Sequence, residues 1–188
     1  MSEKCAKTKW VDYSKCIGCE SCEAICKHLW GLSRIQMTQT DDGLMLPLYC
    51  HHCESPQCMK ACPVGAIHKE ENGAVVHDPE VCRGCRAMHC MEACPFGAIY
   101  HAGGVVPITK CDLCAERRQV GLGPACVEIC PVEAIYWVDT TELPKLRSPE
   151  SMNRLKLVMA HIQAKRKKAK PEAKPGATTA DLDKMAEQ

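Results

Sequence analysis

Cys16-Ile17-Gly18-Cys19-Glu20-Ser21-Cys22-Glu23-Ala24-Ile25-Cys26 spaces four thiols as C-x2-C-x2-C-x3-C. Three thiolates two residues apart can wrap one side of a cubane [4Fe–4S] cluster while the amides between them face its sulfides. The fourth, about one helical turn further on, points away and is free to ligate a second cluster. Outward from this stretch the idea recurs three times: Cys50-x2-Cys53-x4-Cys58-x3-Cys62, Cys82-x2-Cys85-x4-Cys90-x3-Cys94 and Cys111-x2-Cys114-x11-Cys126-x3-Cys130. Sixteen of the seventeen cysteines therefore fall into four complete ligand sets, each ending in C-x3-C. Cys5 follows no spacing rule and reads as a free thiol.

The rest of the composition agrees. In 188 residues there are three Trp, four Tyr and a single Phe, so the apolar core is thin and something else must hold the fold. Cysteine at this density means disulfides or metal. The first residues lack an apolar signal segment and a twin-arginine pattern, and no apolar run approaches membrane length. The expectation is a cytoplasmic chain without a membrane span, in a reducing compartment where thiols stay available for metal. Zinc, the bland alternative, usually joins two C-x2-C pairs across a longer gap and needs neither a third cysteine nor the proline that follows three of the runs. The formal charge of +1 gives no reason to expect nucleic-acid binding. The radical-type C-x3-C-x2-C spacing is absent, because Leu29, Gly65, Gly97 and Glu133 stand where its last cysteine would be.

Between the cysteines the chain reads as small hairpins. Arg34 to Thr40 and Leu44 to Leu46 flank the turn signal Asp41-Asp42-Gly43. The unit CP-x-[GE]-A-I then occurs at Cys62, Cys94 and Cys130, each time leading into a strand. Glu71-Asn72-Gly73 turns the first toward Ala74 to His77, and Gly103-Gly104 turns the second toward Val105 to Ile108. Proline after the last cysteine fixes φ for a tight turn and aims the thiolate back into the fold. Beyond Val138, Ser148-Pro149-Glu150 starts a helix, with Leu155, Val158, Met159 and Ile162 forming one apolar stripe. Lys165 to Lys168 suit the helix C-terminus, and residues 169–188 read as a mobile tail. The boundaries expected are a four-cluster domain over 1–138, a helical extension over 139–168, and that tail. His51, His52 and His89 read as hydrogen-bond donors near a cluster or as water-facing groups, and Arg117-Arg118 as a docking pair in the long gap of the fourth run.

Four such runs in this order, the last with its middle gap stretched over Ala115 to Ala125, resemble the four-cluster electron-transfer subunits of the dimethyl-sulfoxide-reductase and formate-dehydrogenase class. Similar subunits serve nitrate and polysulfide reductases, carbon-monoxide-dehydrogenase modules, and some tungsten aldehyde or aromatic-acyl reductases. The resemblance spans about Tyr13 to Val138. It implies an α+β fold of two ferredoxin-like lobes about a pseudo-twofold axis, with small antiparallel hairpins and short helices, followed by the C-terminal helix and tail. It also implies that outer runs pair with each other, and inner runs likewise. Cys130 would complete Cys16, Cys19 and Cys22; Cys26 would complete Cys111, Cys114 and Cys126. Cys94 would complete Cys50, Cys53 and Cys58, and Cys62 would complete Cys82, Cys85 and Cys90. Spacing alone leaves a sequential pairing open, in which Cys62 completes the first triplet. One departure is the third run, where Arg86-Ala87-Met88-His89 puts four residues where the family has two.

The expected function follows from the resemblance: a non-catalytic subunit relaying single electrons through four [4Fe–4S] clusters. It would exchange them with a catalytic molybdenum or tungsten pterin oxidoreductase subunit, and with a further redox subunit or ferredoxin. A carrier for a carbon monoxide dehydrogenase or hydrogenase, and a zinc-based structural module, are the competing readings.

Overall fold

A computed structural model describes residues 7–82, 85, 88–102 and 107–169. Cys5, Arg86-Ala87, the Gly103 to Val106 turn and return, and the tail beyond residue 169 lie outside the described residues. The fold is α+β and ferredoxin-like, built from four two-stranded antiparallel sheets and short helices. In chain order these are β1 (Lys7–Val11), α1 (Ser21–Trp30), β2 (Gln36–Gln39), β3 (Met45–Leu48), α2 (Gln57–Lys60), β4 (Ile67–Lys69) and β5 (Val75–His77). Then follow α3 (His89–Ala93), β6 (Ile99–His101), β7 (Ile108–Lys110), α4 (Ala115–Gln119), α5 (Ala125–Glu128) and β8 (Ile135–Asp139). A 3-10 turn, α6 (Leu143–Leu146) and α7 (Pro149–Ala169) complete the fold.

Three sheets are local hairpins, β2–β3, β4–β5 and β6–β7. The first two close with one device. Thr40 N–H donates to Leu44 O and Gly43 N–H to Thr40 O, each at 2.9 Å; Glu70, Gly73 and Ala74 repeat the pattern at 2.8 and 2.9 Å. Glycine is required there because φ is 85° at Gly43 and 84° at Gly73. The fourth sheet is not local. β1 pairs with β8, from Lys7 opposite Asp139 to Val11 opposite Ile135, and so joins the two ends of the cysteine-rich region.

Two cores result. One gathers Trp10, Tyr13, Ile35, Leu46, Tyr49, Tyr100 and Ile135 with Cys22 and Cys126, and Cys16, Cys26 and Cys130 pack against it. The other holds Ile67, Val75, Ala98, Ile99 and Ile108 with Cys50, Cys58, Cys90 and Cys94, flanked by Cys62 and Cys82. Helix pairing follows the same division, α1 against α5 and α2 against α3. Phe96 packs on both cores, and Cys111, a fourth-run residue, is buried in the inner one.

The extension covers its own chain. Leu155, Val158 and Ile162 of α7 are buried in the outer core, with Met152 and Met159 packed against it. Ser148 caps the helix, its Oγ accepting from Ser151 N–H at 3.2 Å, and Pro149 is the first helical residue as the sequence predicts. Ser151, fully buried, in turn accepts from Tyr13 N–H at 3.0 Å, and Arg154 donates to Tyr13 O at 2.8 Å. Arg166 leaves the basic run to donate to Met91 O at 2.8 Å and Glu92 O at 3.1 Å, capping α3. No helix among the described residues is long and apolar enough to cross a membrane.

Candidate iron–sulfur site

The CP-x-[GE]-A-I repeat is where local chemistry and site meet. After each proline the chain turns, with Gly65, Gly97 and Glu133 N–H donating to the carbonyls of Cys62, Cys94 and Cys130 at 3.4, 3.3 and 3.2 Å. The residue in that third position has positive φ (69°, 61° and 49°), which explains glycine in two of the three copies. The turn swings the next amide back toward the cysteine sulfur: Ala98 N–H donates to Cys94 Sγ at 3.5 Å and Ala134 N–H to Cys130 Sγ at 3.3 Å. Ala66, Ala98 and Ala134 are all fully buried, which leaves room only for a small side chain. Arg34 N–H reaches Cys26 Sγ at 3.2 Å, and Leu113 N–H reaches Cys111 Sγ at 3.4 Å. Amides aimed at sulfur stabilise thiolate charge before any metal arrives.

Sixteen cysteines are free thiols in the described residues, and no disulfide joins them. Their grouping is nested. Cys62, Cys82, Cys85 and Cys90 line one cavity, of about 150 Å³. A second is lined by Cys16, Cys19, Cys22 and Cys130, and a third by Cys26, Cys111, Cys114 and Cys126. Cys50, Cys58 and Cys94 are buried together in the inner core, and Cys53 feels the charges of Cys50 and Cys94. Burial pushes Cys53 and Cys58 up, Cys58 to about 11, and the charges of Cys50 and Cys94 add to the rise in both. The same pattern binds the other sets internally: burial and then Cys130 and Cys19 raise Cys16, and burial and then Cys85, Cys62 and Cys82 raise Cys90 to about 11.

The sets also follow one another in series. Burial lifts the Cys22 thiol to about 12, and the Cys126 charge of the next set adds to it. That next set meets the inner core at Cys111, which feels the charge of Cys50. The last two sets share the α2–α3 pair. At the exposed end, Cys19 faces solvent, and its thiol is lowered by a hydrogen bond with the Ser21 hydroxyl. Among the described residues, no three Cys, His, Asp or Glu converge as one metal ion would require. Each cavity instead has soft thiols around its wall, a donor set suited to iron–sulfur clusters.

The joint between the cores holds groups that spacing could not locate. Lys9 on β1 is 3 % exposed, with Nζ 3.6 Å from Cys111 Sγ and 3.8 Å from Cys126 Sγ. Burial favours neutral Lys9, yet those two thiolates more than reverse it and hold its pKa well above the usual value. Cys111 shows the reciprocal effect: burial raises it, but Lys9 and then His52 bring it down to about 6. His51 stacks between Tyr49 (centroids 4.2 Å apart) and Phe96 (3.8 Å), and burial, then the Lys9 charge, depress it to about 3. His52 Nδ1 accepts from Val75 N–H at 3.0 Å. Of the three histidines singled out in the sequence, His51 is half-buried, His52 is buried and His89 is exposed.

Arg117 and Arg118 are not a free docking pair. Arg117 donates to Gly123 O at 2.9 Å and pairs with Glu128 at 2.6 Å. Arg118 donates to Leu113 O and Asp112 O at 3.1 Å and pairs with Glu70 at 3.2 Å. Both clamp the long gap of the fourth run against its own chain.

Residues 41–140 match the 4Fe-4S dicluster domain. The protein is 40% identical over 155 residues to the B subunit of anaerobic dimethyl sulfoxide reductase from Escherichia coli strain K12, covering 72% of this sequence and 75% of that one. It is 35% identical over 150 residues to thiosulfate reductase electron transfer subunit PhsB of Salmonella typhi, covering 71% and 77%. To the iron–sulfur subunit of the nitrate-inducible formate dehydrogenase of Escherichia coli strain K12 it is 32% identical over 171 residues, covering 76% and 58%.

Proposed function

Since the chain belongs to the 4Fe-4S dicluster family of iron–sulfur electron-transfer subunits, we propose that its sixteen grouped cysteines hold four [4Fe–4S] clusters in a single line. The sets are Cys16, Cys19, Cys22 and Cys130; Cys26, Cys111, Cys114 and Cys126; Cys50, Cys53, Cys58 and Cys94; and Cys62, Cys82, Cys85 and Cys90. The observation that carries this is their nesting, three sets each lining its own cavity and successive sets joined through the α1–α5 pair, Cys111 in the inner core and the α2–α3 pair. Clusters bound there supply one-electron chemistry at potentials tuned by burial and hydrogen bonds to sulfur. The protein's own residues hold the thiolates and aim amides at them.

The protein is a non-catalytic subunit of an oxidoreductase complex. A molybdenum or tungsten pterin partner is the finer reading, supported by relatives named as parts of dimethyl sulfoxide and thiosulfate reductases. Abundant free thiols suit a cytoplasmic, reducing setting. Three cavities each lined by four thiols support clusters as the bound groups.

Anaerobic purification of the native complex tests the reading. The subunit should carry about sixteen iron and as many acid-labile sulfides, and its partner should contain molybdenum or tungsten. Zinc in place of iron, from cells grown with ample iron, would overturn it. The nested sets are checked by paramagnetic resonance: Cys130→Ser and Cys16→Ser should perturb the same signal, and Cys62→Ser a different one. If Cys62→Ser and Cys16→Ser alter one signal while Cys130→Ser spares it, the pairing is sequential.

A further inference from the structure

Lys9 is a buried cation that a series of cysteine sets does not need for ligation. Its Nζ touches two sulfurs of one set, Cys111 and Cys126, and lies 5.2 Å from the Tyr49 ring centroid. No carboxylate pairs with it among the described residues, so the groups it faces are those two sulfurs. The comparison with Lys110 is instructive. Lys110 is equally buried at 3 %, but its ammonium donates to the neutral carbonyls of Val75 and Cys111. Among the described residues no other lysine or arginine side chain donates to a cysteine sulfur.

A charge held in a low-dielectric interior acts strongly on its neighbours. Reduction adds one negative charge to a cluster, so a cation fixed against its ligands favours the reduced state. We propose that Lys9 sets the potential of the cluster held by Cys26, Cys111, Cys114 and Cys126, raising it and making that second station from the Cys19 end an electron-holding one. This rests on the four-cluster reading, and strand pairing keeps the group in place, since β1 is pinned to β8 with Lys9 opposite Trp137.

The test is a redox titration of the full-length protein, loaded with iron and sulfide and followed by paramagnetic resonance, for wild type, Lys9→Met, Lys9→Gln, Lys9→Arg and Lys7→Met. Iron and sulfide content is measured first, because fewer than four clusters in the wild type would defeat the four-cluster reading and not the role of Lys9. With four clusters present, both neutral Lys9 variants should shift one midpoint potential downward, the one perturbed by Cys126→Ser. Lys9→Arg should restore most of it, and Lys7→Met, on the exposed start of the strand, should shift none. Unchanged potentials in Lys9→Met and Lys9→Gln would overturn the proposal. So would loss of that cluster in both neutral variants, since Lys9 would then serve to assemble the site.

Discussion

Gly65 and Gly97 hold the same place in successive copies of the CP-x-[GE]-A-I repeat, yet their surroundings differ. Both need positive φ, at 69° and 61°. A Cβ on Gly65 would meet nothing within 4 Å, whereas one on Gly97 would lie 3.2 Å from two carbons of Ile162. Gly65→Ala should therefore cost about 1–2 kcal/mol, the penalty of a left-handed residue. Gly97→Ala should cost more, because α7 must move as well. Chemical denaturation of the two loaded variants measures the difference, and equal losses would mean that Ile162 yields freely. At Glu133 the repeat already tolerates a side chain at φ 49°. Glu133→Gly should change stability by less than about 1 kcal/mol, because relief of strain offsets the added freedom of the unfolded chain; a larger change in the same denaturation assay would refute that balance.

Among the elements, α7 shows how far a pattern can be read. Its stripe was legible because Leu155, Val158 and Ile162 recur at helical spacing, and all three are buried in the outer core. A carboxylate at Val158, 2 % exposed, would be buried without a partner. Val158→Asp should then destabilise the isolated subunit by roughly 3–5 kcal/mol, seen as a lower melting temperature. A wild-type melt with a weakened complex would instead place that face against a partner. The hairpins were equally legible, since Asp42-Gly43 and Asn72-Gly73 announce their own turns. The β1–β8 sheet was not. Lys7 to Val11 reads KTKWV, with no alternation to mark a strand, and its partner lies at the other end of the cysteine region. Four of its five residues are buried because both faces are covered, so period-two patterning fails. Lys9 was invisible for the same reason: a lysine in a basic N-terminal stretch reads as solvated until the strand is placed.

For the whole molecule, the cysteine spacing marked the thiols that the fold brings into groups, and the thin-core expectation holds for only half of the fold. The outer core buries Trp10, Tyr13, Tyr49 and Tyr100 together with the stripe of α7. Three tyrosine hydroxyls tie it together: Tyr49 accepts from Val11 N–H at 3.1 Å, and Tyr13 and Tyr100 donate to Pro47 O at 3.0 Å and Leu48 O at 2.6 Å. The inner core offers Ile67, Val75, Ala98, Ile99 and Ile108, and most of the rest of its buried surface is cysteine. Burying each large apolar side chain is worth about 1.5–3 kcal/mol, so the inner core has far less to stand on once metal is gone. Metal binding and folding are coupled most tightly where the apolar core is smallest. Anaerobic chelation should accordingly unfold the molecule unevenly. Amides of β4, β5, β6 and β7 should lose exchange protection first, while β1, β8 and α7 keep theirs. Hydrogen exchange followed by mass spectrometry resolves the two halves. Simultaneous loss of protection in both, with one cooperative transition, would show that the two cores stand or fall together through Cys111 and Phe96 at their joint.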